Sequence, residues 1–224
     1  VGKEQKEGKD RDVFTCPRCG AQLKKTDCPR ALETRIDPAD GQPHQFTKQI
    51  PVLIEYVYQG KKRLKVPDDN DLQTIERIAA IPYKHWFPTD LMMGIGEKWG
   101  DSYRSGYHQG VTRANHFYTK KSLITIGYLW EKMKNSSCAG TLQFMVDQII
   151  VGMSKMARYV PTHFSQVNQN LSGTLYIGSQ YVEVSPWYIL DGKLKGLIKA
   201  FSMTSKFNND VVVETGSAEH SGIP

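Results

Sequence analysis

Between Ile81 and Lys121 the chain carries no hydrophobic period, helical or strand-like, and this constrains its fold more than any other feature. About forty residues without regular structure are uncommon inside a compact domain, and such stretches are generally functional or disordered. Pro82, Pro88, Gly94, Gly96, Gly100, Gly106 and Gly110 punctuate the run. Its aromatic content argues against disorder. The chain therefore divides into a part before this run and a part after it.

Residues 1–12 alternate Lys or Arg with Glu or Asp, with Val1 as their one apolar residue. Such a composition buries too little surface to order itself, so a flexible charged tail is expected. Residues 13–80 open on a Cys-x-x-Cys turn. A β-hairpin is expected over 45–66, where "PVLIEYVY" is β-branched and aromatic, "QGKK" turns and "RLKV" returns. A short helix capped by Asp71 follows, with Leu72, Ile75 and Ile78 at helical spacing.

Residues 81–224 form the third division. Thr119 or Ser122 is placed to cap a helix carrying Leu123, Ile126, Trp130 and Met133 on one face. Leu142, Met145, Val146, Ile149, Ile150, Met153 and Met156 then make the cleanest amphipathic stripe in the chain, and a stripe of this kind is core. "TLYIGSQYVEV" alternates as a strand does, with a bulge expected at Gly178. Pro186 suits the first turn of a helix over about 186–201, and "DVVVET" reads as a last strand. The expected fold is α+β: a small N-terminal Cys-knuckle and β-hairpin part, then a larger, mainly helical part with a few strands.

The 224 residues suffice to bury a core, and 29 bases against 23 acids leave a net charge of +6, which points weakly towards a polyanion. No apolar run approaches the ~18 residues of a membrane span, so no membrane partner is expected. The charged N-terminus lacks the apolar region of a secretory signal. Cys16, Cys19, Cys28 and Cys138 do not make a disulfide framework in a chain of this length, and a reducing cytoplasm is the expected compartment. Cys138 is expected to be buried.

Cys16-Pro-Arg-Cys19-Gly is a knuckle able to present two thiolates to one tetrahedral zinc. A structural site needs four ligands, and downstream only Cys28 and His44 follow, so Cys16 and Cys19 are candidate zinc ligands without a complete set. "GIGEKWG" has the wrong glycine spacing and no preceding strand for a dinucleotide loop. No His-Glu-x-x-His or Gly-x-Ser-x-Gly occurs.

"WGDSYRSGYHQGVTRANHFYTKK", residues 99–121, is the densest chemistry in the chain. Trp99, Tyr103 and Tyr107 accompany Arg104, His108, Arg113, His116, Lys120 and Lys121, and Asp101 is the only acid. Cations there can neutralise phosphates, and the rings offer faces on which exposed bases stack. The alternative is a loop whose aromatic residues plug a groove of its own protein.

The run "IPYKHWFPTDLMMGIGEKWGDSYRSGYHQGVTRANHFYTKKSLITIGYLW" resembles a segment of a family of bacterial DNA methylases that modify amino groups of bases, adenine N6 or cytosine N4, with S-adenosylmethionine. The resemblance extends to "FTCPRCGAQLKKTDCPRALETRID", "PVLIEYVYQGKKRLKVPDDNDLQTIERI", "LSGTLYIGSQYVEVSPW" and "VETGSAEHSGIP". Members of that family carry a Phe-x-Gly-x-Gly-type cofactor loop and an Asp-Pro-Pro-Tyr/Phe tetrapeptide. Neither is present here, and none of the eleven prolines precedes another. The chain is thus similar to the interval between the two catalytic motifs, with Cys16 and Cys19 matching the second of two zinc knuckles.

The resemblance implies a restriction–modification setting and a segment that recognises or positions DNA, because a methylase must extrude its target base. On this view Arg104, Arg113, Lys120 and Lys121 contact phosphates, while Trp99, Tyr103, Tyr107, His108 and His116 stack or read base edges. The implied partners are DNA and the rest of the catalytic domain. S-adenosylmethionine belongs to the parent enzyme, no cofactor but zinc is expected in this interval, and the interval alone is not expected to methylate. The competing reading is a scaffold that packs on the catalytic domain while DNA is read elsewhere. A DNA-contacting loop would be exposed; a scaffold loop would bury Trp99, Tyr103 and Tyr107.

Overall fold

Antiparallel strand pairs build the first half of the protein. The computed structural model describes residues 2–6, 9–24, 27–92, 110–167, 169–171, 173 and 175–206. β1 (Gly2–Lys6), β2 (Lys9–Thr15) and β3 (Gln22–Lys24) form a three-stranded sheet. Residues 2–6 and 9–12, expected to be a flexible tail, are therefore strand. β1 and β2 pair antiparallel, with Gly2 across from Val13 and Lys6 across from Lys9.

The hairpin expected over 45–66 is present, and another precedes it. β4 (Leu32–Ile36) pairs with β5 (Pro43–Thr47), and β6 (Ile54–Tyr58) pairs with β7 (Lys61–Lys65). The second closes through Gln59 (φ 49°) and Gly60 (φ 71°), the positive φ pair that a two-residue turn needs to match strand twist. α1 (Asp69–Ala80) follows. Its cap is Asp68, not Asp71: the Asp68 carboxylate accepts from the Asp71 N–H at 3.1 Å, and Asp71 accepts from the Asp68 N–H at 2.9 Å. Both acids offer a capping oxygen, and the box uses them reciprocally. Leu72 and Ile75 stay exposed on this helix.

A 3-10 turn (Ala114–Phe117) leads into α2 (Lys120–Lys134), whose N-cap Thr119 accepts from the Ser122 N–H. α3 (Ala139–Ile150) and α4 (Pro186–Thr204, Pro at its first turn) complete the regular elements. The apolar stripe of α3 outlasts its helix: Met153 sits in the core at 2% exposure, on a turn beyond Ile150. Over 175–184 the expected strand is, among the described residues, one isolated bridge, Arg158 to Tyr181. Cys138 is exposed at the start of α3, not buried. The strand expected at "DVVVET" lies outside the described residues.

The main core forms where α2, α3 and α4 meet, from Ile126, Leu129, Met145, Val146, Ile149, Met153, Val184, Ile189 and Leu190. Val111, Phe117 and Ile177 make a smaller cluster beside it. Every buried apolar side chain among the described residues lies at or after Val111. The fold is α+β as expected, and among the described residues its apolar core lies in the helical part.

Candidate functional site

Before Val111 one described residue is buried, and it is a carboxylate. Asp37 starts the β4–β5 turn, "DPADGQ", a run whose Asp-Pro and Asp-Gly pairs are turn chemistry. Its Oδ1 accepts from the Ala39 N–H at 3.0 Å, and Asp40 Oδ1 accepts from the Gln42 N–H at 3.0 Å. Two such side-chain turns in succession fix the direction of both carboxylates.

The partner surface is residues 110–118. His116 Nε2–H donates to Asp37 Oδ2 at 2.7 Å, and Asn115 Nδ2 donates to Asp37 Oδ1 at 3.1 Å. Arg113 Nη2 donates to Asp40 Oδ2 at 3.1 Å and Nη1 to the Thr89 carbonyl, while its Nε lies 3.7 Å from Asp37. His44 completes the group, with Nε2 at 2.9 Å from Asp40. Gly110, at φ 80°, lets the backbone run directly against Gln45 and Phe46 of β5; a Cβ there would meet the Gln45 carbonyl oxygen at 2.5 Å. The Phe46 ring stands edge-on to the His116 imidazole at 4.9 Å.

The hydrogen bonds fix the tautomer of His116. The Thr112 N–H donates to Nδ1 at 3.0 Å, so the ring proton is on Nε2, towards Asp37. Burial lowers the pKa of the imidazole, against the upward pull of Asp37. Burial raises the Asp37 carboxyl, but the Ala39 N–H, His116 and Asn115 outweigh it and the net shift is down. A neutral imidazole thus donates to a carboxylate. Both ring nitrogens are occupied, which leaves none to exchange a proton with a substrate.

Below this layer Lys155 is buried, and its ammonium donates to the His116 carbonyl at 2.9 Å. Desolvation, with Arg35 nearby, brings its pKa down to about 7. Asp37, Asp40 and His44 each place a ligand atom within 4.8 Å of the others, the spacing of a divalent-cation site. Arg113 already supplies positive charge to both carboxylates, so the group as it stands is a hydrogen-bonded ion-pair network.

No family model, curated protein or solved structure matches the chain. The residues themselves carry the functional reading.

Of the residues expected to meet DNA, Trp99, Tyr103, Arg104, Tyr107 and His108 lie outside the described residues. The other four, Arg113, His116, Lys120 and Lys121, are each engaged within the protein, at three different places. Arg113 and His116 belong to the network above. Lys120 Nζ donates to the Ala79 carbonyl and sits 4.9 Å above the Tyr83 ring. Lys121 Nζ lies 3.4 Å from Glu183.

Cys16 and Cys19 do form a knuckle. The Cys16 N–H donates to the Ala21 carbonyl at 2.8 Å and the Gly20 N–H to the Cys16 carbonyl at 2.9 Å. N–H groups of Arg18 and Cys19, and the Cys19 thiol, hold the Cys16 thiol below its ordinary pKa. The donor set suits a thiophilic ion, but it supplies two ligands. Among the described residues neither Cys28 nor His44 joins it as a third, and His44 is committed to Asp40.

Asp37, Asp40, His44, Asn115 and Lys155 were not expected as site residues. The turn signal of "DPADG" was available for the first two; nothing local announces a partner 79 residues away.

Proposed function

We propose that this chain is the interval between the catalytic motifs of an S-adenosylmethionine-dependent DNA amino-methyltransferase, and that it positions DNA for the flanking catalytic parts. The residue runs that resemble such enzymes support this reading, together with the excess of basic residues. The geometric observation that carries it is the Asp37–His116 bond with its ring of partners. It anchors residues 110–118 on the β4–β5 hairpin, directly after the stretch richest in rings and cations.

Within this reading the nine residues divide. Arg113, His116, Lys120 and Lys121 are occupied inside the protein and serve as scaffold. Trp99, Tyr103, Arg104, Tyr107 and His108 are the residues assigned to DNA. Anisotropy titration with duplex DNA tests the division. Arg104→Ala lowers affinity several-fold, whereas Lys121→Ala leaves it within about twofold. Equal losses would overturn it.

A second role is favoured by one specific observation. α4 exposes Trp187 (69%), Ile198 (57%), Phe201 (51%) and Met203 (61%), more apolar surface than a solvent-facing helix ordinarily carries. A scaffold that also packs on the catalytic domain accounts for it.

A further inference from the structure

The β6–β7 hairpin has two faces of different character, and the pairing defines them. Directly opposed residues of an antiparallel pair share a face, and alternate residues along each strand return to it. The register therefore puts Tyr56, Tyr58, Lys61 and Arg63 on one face, since Tyr58 opposes Lys61 and Tyr56 opposes Arg63. Glu55, Val57, Lys62 and Leu64 occupy the other.

Neither face is covered by the rest of the protein. On the second, Val57 is 59% and Leu64 61% exposed, and Lys62 Nζ lies 4.6 Å from the centroid of the Phe164 ring. On the first, Tyr56 is 40% and Tyr58 58% exposed, and Lys61 and Arg63 are exposed beside them. Among the described residues neither cation has an ion-pair partner, in contrast to Lys65, whose ammonium sits 2.9 Å from Asp68 and 2.7 Å from Asp71. The one acid in either strand, Glu55, is on the second face. Two cations and two phenols thus converge on a solvated ribbon with no negative charge among them.

We infer that the β6–β7 hairpin face carrying Tyr56, Tyr58, Lys61 and Arg63 is a second DNA-binding surface, which lies against duplex DNA with Lys61 and Arg63 on phosphates and the Tyr56 and Tyr58 hydroxyls as further donors. The dimensions suit it. Strands about 4.8 Å apart and about 17 Å long make a ribbon that fits a major groove about 12 Å wide. Charge complementarity selects a polyanion over an apolar partner, and tyrosine and basic side chains are the ordinary donors to DNA phosphates.

This inference rests on the DNA reading above, and its test separates the two. The whole chain is titrated with a fluorescein-labelled duplex between about 50 and 200 mM salt, as wild type, as Lys61→Gln/Arg63→Gln, and as Lys193→Gln/Lys199→Gln, which removes the same charge from α4. The hairpin variant loses at least tenfold in affinity at the lower salt, and its slope of log affinity against log salt falls by about two. The α4 variant changes by less than threefold. Equal losses in the two variants, or none in the first, overturn the hairpin surface while DNA binding by the chain stands. Wild-type protein that does not bind duplex, or that prefers an acidic polypeptide to it, overturns both.

Discussion

His116 Nε2 and Asp37 Oδ2 stand 2.7 Å apart, both buried, and join segments 79 residues apart in the chain. The β4–β5 hairpin contributes no buried apolar side chain, so its attachment to the helical part is polar: this bond, Arg113 on Asp40, and Asn115 on Asp37. Polar anchors are directional. They fix the approach of 110–118 in a way that an apolar contact does not.

Removing the carboxylate tests how much the anchor holds. Asp37→Ala strands the His116 Nε2–H and the Asn115 Nδ2–H in a buried site and should cost about 3 kcal/mol of folding stability. Urea unfolding reads this as a lower midpoint with an unchanged slope. An unchanged midpoint would mean that the network is not structural.

Close approach at Gly110 is a separate requirement. Gly110→Ala must place a Cβ against the Gln45 carbonyl at a residue whose φ is 80°, and it should destabilise by about 2–4 kcal/mol. Gly140→Ala, where a Cβ meets nothing within 4 Å, is the control and should be neutral or slightly stabilising. Similar melting temperatures for the two variants would contradict the docking of 110 on β5.

Stability should rise with pH across the neutral range. The folded pKa of His116 is lowered by burial, and an unfolded imidazole titrates near pH 6.5, so below about 6.5 the unfolded chain binds the extra proton and stability falls. Lys155 extends the trend upward: at about 7 when folded and about 10.4 when unfolded, its stability contribution grows between those values. Asp37, lowered on folding, adds stability that is lost as pH falls below about 4. Thermal melts should therefore climb from pH 6 to pH 9 (an approximate window set by these groups). Lys155→Met should flatten the upper part and raise stability at pH 7. A Lys155→Met protein that keeps the full climb would contradict the assignment.

Local patterns were legible where the sequence states its own geometry. Thr119 capping α2, Pro186 opening α4 and Gln59-Gly60 closing β6–β7 each follow from backbone preferences within a few residues. What failed was context. "TLYIGSQYVEV" alternates like a strand, yet a strand needs a neighbour, and Arg158–Tyr181 is the one bridge it makes among the described residues. The charged N-terminus reads as tail from its composition, yet residues 2–6 and 9–12 belong to paired strands. In the candidate site, His116 and Arg113 stand out in the sequence as basic residues, but the structure commits both to the Asp37–Asp40 turn. Their partners are set by the fold, and local spacing carries no record of a bond across 73 or 79 residues.

The most direct test of the central claim is the affinity of the wild-type chain for duplex DNA at two salt concentrations. The account predicts binding that weakens at least tenfold between about 50 and 200 mM salt, as two or more neutralised phosphates require. Absence of binding at the lower salt would contradict a role in positioning DNA and leave the chain as scaffold.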